Sequence, residues 1–283
     1  MKVLVLGASG MIGSTIIQVL SHNKEWEVHG TIRDASVKEY FPDYIANNLI
    51  SDVDVDTYNL EQLFDNVRPD VVINCVGITK HLPEADDPLR AIALNALLPH
   101  RLSKHCDESN SRLIHISTDC IFSGAKGEYK EEDPSDAEDI YGKSKYLGEV
   151  LDTQGVTLRT STIGHEIRTT HGLLEWFLSQ KVKCKGYSRA IFSGLPTVTL
   201  AAVIRDHVIP NESLSGLYHV AGQPISKYDL LLLIAKEYNK KIEIVNDASV
   251  VIDRSLNADK FMGATGYVAP EWPGLIRSMH AGR

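Results

Sequence analysis

The chain has 283 residues, 43% hydrophobic and 23% charged, with a formal net charge of −8 and a pI near 5.8. An acidic balance with no long run of Lys and Arg excludes the electrostatic footprint of a nucleic-acid binder, and no apolar stretch reaches the roughly 18 residues that a membrane span needs. The composition is globular, and the length suits one large domain or two sharing a core.

Short apolar runs alternate with helical patterns through the first 160 residues. "KVLVL" predicts a strand, and a helix follows from about Met11 to His22. "WEVHGTI" predicts a second strand, "LEQLFDNV" a short helix and "PDVVINCVG" a third strand. A long helix is expected within 85–106, then "RLIHIST" as the fourth strand, "YGKSKYLGEVLDT" as a helix and "VTLRT" as the fifth strand. Strands without polar alternation, separated by helices, predict a parallel sheet covered on both faces. Beyond residue 160 the pattern loosens. "GLLEWFLSQK" and "TVTLAAVIRDHVI" read as helical, and "GLYHVAG" as a strand and turn. "SKYDLLLLIAKEYN" is a well-marked helix with Ser226 as its expected N-cap.

The four cysteines, at 75, 106, 120 and 184, form no CxxC pair and read as reduced, mostly buried thiols of a cytoplasmic protein. The N-terminus "MKVLVLGASG" is too short and too Gly-rich for a signal peptide. The eleven histidines are scattered without HxxxH or HExxH spacing, so no metal site is expected.

Gly7, Gly10 and Gly13 stand in "VLVLGASGMIG", directly after a predicted strand and opening a predicted helix. Glycine lets the backbone turn sharply and approach a pyrophosphate, whose charge a helix N-terminus favours. A plain strand–helix turn is the alternative, but position and context favour dinucleotide binding. The adenosine ribose is met about 20 residues past the last glycine, which brings Arg33 into range. An arginine there pairs with a 2′-phosphate and selects NADP. Asp34, next to it, keeps NAD open. Asp52 and Asp54 are both candidates to meet the adenine.

"YGKSK" places Tyr141 and Lys145 four apart, on one face of a helix. A phenol with a pKa near 10 is a reluctant acid or base at neutral pH. A nearby ammonium favours the phenolate, and lowering the pKa by roughly three units takes about 4 kcal/mol.

In order and spacing, Gly7/Gly10/Gly13, Thr118 and Tyr141/Lys145 resemble the extended short-chain dehydrogenase/reductases. "STDCIFSG", "YGKSKYLGE" and "GLYHVAG" look most like the dTDP-4-dehydrorhamnose reductase branch. "NCVGITKHLPEADDP" and "LNALLPHRL" are similar to 4-ketoreductases acting on UDP-activated 6-deoxyhexosamines. The resemblance spans nearly the whole chain and is firmest to about residue 165. It implies an α/β protein with a Rossmann-type, doubly wound parallel sheet over 1–160. A smaller substrate-binding lobe would occupy 161–283, with some elements returning to the main sheet. The implied activity is NAD(P)H-dependent reduction of the 4-keto group of a nucleotide-activated 4-keto-6-deoxyhexose, in deoxysugar and polysaccharide precursor biosynthesis. Thr118 would donate a hydrogen bond to the substrate oxygen, Tyr141 would donate the proton, and Lys145 would activate Tyr141 and bind the nicotinamide ribose. The cofactor groove would take in Gly7, Ser9, Gly10, Met11, Ile12, Gly13, Arg33, Asp52, Asn74, Cys75, Val76, Gly77 and Asn95. NADPH is the expected cofactor, with NAD open. A nucleotide sugar is the expected partner, and a homodimer is open. The acidic residues that hold Mg²⁺ in some members are not found here, so no metal is implied.

Sugar-nucleotide 4,6-dehydratases of this superfamily place an Asp–Glu pair directly after the threonine. Elimination of water needs an acid for the leaving hydroxyl and a base for the C5 proton. Here the order is Thr118–Asp119–Cys120, and a neutral thiol is a poor base for a carbon acid. Ketone reduction needs one hydride and one proton donor, so a reductase is favoured. Asp119 reads equally as a loop cap or a substrate contact, and Cys120 as a small buried residue. Thr79, Thr118, Asp119, Thr162, His165 and Arg254 are the candidate substrate residues. Arg254 is the first choice for a nucleoside diphosphate and Arg189 a weaker one, because Arg matches phosphate geometry. Two other readings stand beside the reductase. An epimerase retaining NAD is opposed by Arg33, and a non-catalytic cofactor-binding regulatory subunit by the intact Tyr141/Lys145 pair.

Overall fold

The computed structural model describes residues 1–78, 87–151 and 154–282. The first part of the chain contributes β1 (Lys2–Leu6), β2 (Glu27–Thr31), β3 (Leu49–Ile50), β4 (Val71–Asn74), β5 (Arg112–Thr118) and β6 (Val156–Thr160). The rest contributes β7 (Thr162–Ile163), β8 (Lys183–Tyr187), β9 (Ala190–Phe192), β10 (Leu195–Pro196), β11 (Gly216–His219), β12 (Ile225–Ser226), β13 (Glu243–Asp247) and β14 (Ile252–Asp253). Helices α1 (Met11–Ser21), α2 (Asp43–Ala46), α3 (Leu60–Val67), α4 (Pro88–Ala91), α5 (Leu98–Ser109) and α6 (Ile140–Leu147) are followed by α7 (Leu173–Ser179), α8 (Thr197–Val203), α9 (Lys227–Glu237), α10 (Asp259–Thr265) and α11 (Trp272–Ala281). None of the helices described is long and apolar enough to cross a membrane.

Seven strands form one sheet in the order β11-β6-β5-β4-β1-β2-β3, and every neighbouring pair is parallel. The apolar runs explain why both faces are covered. Along β1, Val3 and Val5 pack into one core cluster and Leu4 and Leu6 into the other, as a period of two requires. The first cluster also takes Ile16, Ile17 and Leu20 of α1, Leu200 of α8 and Leu275 of α11. The second takes Leu60 and Leu63 of α3 and Leu98 and Leu102 of α5. Because β1 lies between β2 and β4, the strand order reverses there. In open α/β sheets that reversal opens a crevice at the strand carboxyl ends.

The remaining strands form separate small sheets, β10-β7, β12-β9-β14 and β13-β8, while β11 returns to the edge of the main sheet beside β6. Several elements differ from the sequence expectations. The two-residue β3 and the charged strands β8 and β13 carry no apolar run long enough to mark them. Helix α6 ends at Leu147, short of the expected extent, whose residues 152–153 lie outside the described residues; its C-cap Gly148 lies against the Asn95 carbonyl, where a Cβ would stand 1.9 Å away. The long helix expected within 85–106 is interrupted over Ile92–Leu97 by a π-helical segment, in which the Leu98 N–H bonds to the Ala93 carbonyl. Pro99 has no N–H to give the Asn95 carbonyl, so the ladder opens to a five-residue spacing at that point.

Candidate active site

The crevice at the strand reversal is lined by Gly7, Ser9, Gly10, Thr31, Arg33, Val53, Asp54, Val55, Cys75, Val76, Gly77, Ile78, Arg90 and Leu94. Its floor depends on missing side chains. Gly7 has φ +79°, in the left-handed region, and a Cβ on Gly13 would lie 2.2 Å from the Gly7 carbonyl oxygen. Helix α1 can therefore press its N-terminus against the strand end and offer N–H groups to an anion. Such a backbone cradle with Arg33 at one end fits a dinucleotide.

Of the residues expected in this groove, Gly7, Ser9, Gly10, Arg33, Cys75, Val76 and Gly77 line it. Met11, Ile12 and Gly13 form the first turn of α1 behind it. Asn74 is fully buried and shapes the loop from below: its Oδ1 accepts from the Val76 N–H at 3.1 Å, and its Nδ2 pairs with His115 Nδ1 at 3.1 Å. Asn95 is likewise buried. Its Oδ1 accepts from the Ile78 N–H at 2.9 Å, and its Nδ2 donates to the Ile78 carbonyl and to Ser144 Oγ, both at 3.2 Å. Asp52 is not among the lining residues. It is exposed in a left-handed turn with φ 62°, and Asp54 takes the place in the lining. Arg90, Thr31, Ile78 and Leu94 were not singled out from the sequence. Arg90 had a signal: it sits on a helix opened by Asp87, whose side chain caps Leu89 at 3.0 Å. Thr79 lies outside the described residues.

Beside this groove, β5 and α6 bring three side chains together. Thr118 ends β5, and its hydroxyl accepts from the Cys120 N–H at 3.1 Å and donates to Asp119 Oδ1 at 3.2 Å. Asp139 caps α6 by accepting from the Gly142 N–H at 2.7 Å. Gly142 permits the close approach, since a Cβ there would lie 2.5 Å from the Cys120 carbonyl oxygen. The contact sets Tyr141, the second residue of α6, against the turn that follows β5. Burial pushes the Tyr141 phenol above its ordinary pKa, Cys120 adds to this, and a hydrogen bond with Thr118 opposes it. The sequence reading expected the opposite direction from the neighbouring ammonium; here removal from water is the larger effect.

Lys145 lies one turn further along α6 and is 5% exposed. Its Nζ donates to the Ile116 carbonyl at 2.8 Å. Burial brings its pKa down to about 8, with Glu149 and Cys75 acting to raise it. The ammonium also borders the groove, because a Cβ added to Gly77 would lie 3.8 Å from Lys145 Nζ. Glu149 is itself buried and fixed by Arg159, whose Nε and Nη2 each donate at 2.8 Å, and by the Ser117 hydroxyl at 2.7 Å. Burial raises the Cys75 thiol to about 12, so it is neutral at physiological pH.

The second half of the chain closes on the same turn. Arg254 donates through Nε to the Phe122 carbonyl at 2.6 Å, and its Nη1 stands 3.9 Å from Cys120 Sγ. Asp119 is buried, which raises its pKa, and Arg254 opposes the rise. Thr162 lies on β7, half-buried, beside Leu195 of β10. His165 is engaged at both ring nitrogens, Nδ1 with Glu175 at 2.6 Å and Nε2 with the Tyr238 hydroxyl at 3.0 Å. Arg189 is exposed. Among the described residues, no group of three or more His, Cys, Asp or Glu could hold a metal ion.

The family described as "RmlD substrate binding domain" matches residues 1–255. A dTDP-4-dehydrorhamnose reductase of Aggregatibacter actinomycetemcomitans is 25% identical, covering 99% of this chain and 98% of its own length. Among solved structures, a hypothetical dTDP-4-dehydrorhamnose reductase from Sulfolobus tokodaii superposes with a TM-score of 0.77 at 25% identity, over 97% of this chain and 99% of that one. The Bacillus anthracis dTDP-4-dehydrorhamnose reductase, solved with NADP, gives a TM-score of 0.80 at 20% identity over 99% and 98% of the two chains.

Proposed function

The chain belongs to the RmlD substrate binding domain family, and from that premise we propose that it is a nicotinamide-dependent reductase of the 4-keto group of a nucleotide-activated 4-keto-6-deoxyhexose. The observation that carries the reading is the hydrogen bond of Tyr141 with Thr118, on the helix whose Lys145 borders the glycine-lined groove at Gly77. NADPH supplies the hydride when bound. Gly7, Ser9, Gly10 and the first turn of α1 hold its pyrophosphate, Arg33 its 2′-phosphate, and Lys145 its nicotinamide ribose.

The chain's own groups handle the proton. The Thr118 hydroxyl orients the carbonyl oxygen. Tyr141 gives that oxygen its proton as negative charge develops there. A phenol whose pKa burial has raised stays protonated at neutral pH, the form a proton donor needs. The Lys145 ammonium steadies the phenolate left behind, which is then reprotonated from solvent. Asp119 lacks a carboxylate partner at Cys120, so the pair that elimination of water requires is absent.

The residues from 161 onward form the substrate lobe, and Arg254 sets the diphosphate beside the sugar. Leu89 (80% exposed) on α4, Ile92 and Leu97 on the π-helical segment, and Tyr146 and Leu147 (63% exposed) on α6 leave an apolar surface on neighbouring helices. That surface suits a second copy of this chain. Light scattering should report a dimer that Leu147→Glu dissociates; a monomeric unmodified protein refutes it. No disulfide joins the four cysteines, in keeping with a reducing, cytoplasmic compartment. The deciding experiment mixes the protein with NADPH or NADH and a panel of 4-keto-6-deoxy sugar nucleotides, following loss of reduced-nicotinamide absorbance. Oxidation of neither cofactor with any of them refutes the reading.

A further inference from the structure

Asp34 follows Arg33 where β2 ends. An acid at that place would accept hydrogen bonds from an adenosine 2′-hydroxyl and repel a 2′-phosphate. In this structure both carboxylate oxygens are already taken. Oδ1 accepts from the Ser36 N–H at 2.9 Å and from the Ser36 hydroxyl at 2.8 Å. Oδ2 accepts from Nη1 of Arg168 at 2.7 Å. The other arm of the guanidinium reaches Ser36 Oγ, and the group lies over the Tyr40 ring, 5.6 Å from its centroid. Arg168 arrives from the loop between β7 and α7, 134 residues later in the chain. The same loop packs near α1: a Cβ on Gly172 would lie 3.6 Å from Met11 Sδ. The carboxylate is held down to about 2, first by the hydrogen bond from Arg168 and then by Ser36, so it stays ionised and paired at any physiological pH.

We propose that Arg168 is a positioning residue that sets cofactor preference through Asp34. By tying the carboxylate back against Ser36 and balancing its charge, Arg168 silences the acid that would select NAD and leaves Arg33 to recognise the 2′-phosphate. The inference rests on the reading of the groove as a dinucleotide site with Arg33 at the 2′-phosphate. The pair is solvent-exposed, with side-chain exposures of 37% for Arg168 and 56% for Asp34, so the effect is moderate and screened by salt.

The test measures dissociation constants of NADPH and NADH by fluorescence titration for the unmodified protein, Arg168→Ala, Asp34→Asn and the double variant, with thermal melts to verify folding. Arg168→Ala should weaken NADPH about fivefold, the scale of one uncompensated charge near the phosphate in water, and should tighten NADH. Both changes should shrink at high salt. In the Asp34→Asn background, Arg168→Ala should then change neither constant by more than about twofold. The same NADPH loss in that background would mean that Arg168 acts on the phosphate directly or only supports its loop, and would overturn the proposal. So would an unchanged NADPH-to-NADH ratio in Arg168→Ala. If the unmodified protein binds neither cofactor, the groove reading itself falls and the proposal with it. If it binds both and Arg33→Ala leaves their ratio unmoved, the 2′-phosphate assignment alone fails, and the NADH response of Arg168→Ala still decides whether Asp34 is held silent.

Discussion

The cofactor side and the substrate side of the crevice are built on different plans. The glycine loop and the Cys75–Gly77 turn directly follow β1 and β4 of one parallel sheet, and the Tyr141/Lys145 helix is the next α-helix after β5. The substrate side is assembled at long range. Arg254 meets Phe122 across 132 positions of sequence, and of the strands after β6 all but β11 form two- and three-stranded sheets. Chemistry that is the same for every substrate can be set by local spacing. If the second half holds the sugar nucleotide, as proposed, recognition rests on contacts that any shift between the two halves would change.

The sharpest way to separate the halves is Tyr141→Phe. If turnover belongs to the sheet side, kcat should fall by roughly 10²–10⁴, the usual contribution of a positioned proton donor, while the NADPH dissociation constant stays unchanged. Turnover close to the unmodified rate would move the proton donor elsewhere. Next in size is Arg254→Ala, which acts from the other half. Loss of a charge-assisted contact to a diphosphate should raise KM for the sugar nucleotide roughly tenfold to a hundredfold, with NADPH affinity preserved. An NADPH defect of equal size would show that the two sides are not separable.

These two residues also mark what the sequence could disclose. Tyr141 was legible because its partner is four residues away on the same helix, and the glycine loop because strand, turn and helix follow without a break. Gly142 and Gly148 were not, although without them α6 could not approach the turn after β5 or the Asn95 carbonyl. A glycine needed for close approach looks like any other until the neighbouring backbone is placed. Asp52 and Asp54 could not be told apart because the choice depends on a left-handed turn at Asp52. The engagement of His165 with Glu175 and Tyr238 is a tertiary fact with no local signature. Strands β8 and β13 pair only with each other and carry Lys and Glu on exposed positions, so their pattern lacks the apolar run that marked the main sheet.

A smaller effect probes the sheet side through pH. Lys145 has a pKa brought down to about 8 from an ordinary 10.5. Its ammonium is lost as pH rises through about 8, so kcat should decline above that point, approaching one decade per pH unit. Between about 8 and 10.5 the unfolded chain holds the proton that the folded one has released. This group's contribution to stability therefore increases with pH across that window. Melting temperatures taken alongside rates will distinguish the two: a decline in rate that follows unfolding would remove Lys145 as its cause. The smallest effect expected is at the adenosine end. Arg33 is exposed, so Arg33→Ala should reduce the preference for NADPH over NADH by roughly tenfold, the lower end of the range for a charged hydrogen bond, while sparing NADH. Equal affinities in the unmodified protein would refute the assignment.

The π-helical segment over Ile92–Leu97 holds one residue more than an α-helical ladder would accommodate. Each residue turns an α-helix by about 100°, so removing one, such as Ala96, would re-aim the side chains within the turn. Asn95 would then leave Ile78 and Ser144, and the loop carrying Gly77 would lose its anchor to the helix of Tyr141 and Lys145. The crevice would become less ordered. A shortened chain that melts no lower yet binds NADPH poorly is the expected signature. The irregularity thus sets the direction from which Asn95 ties the Gly77 loop to the helix of Tyr141 and Lys145.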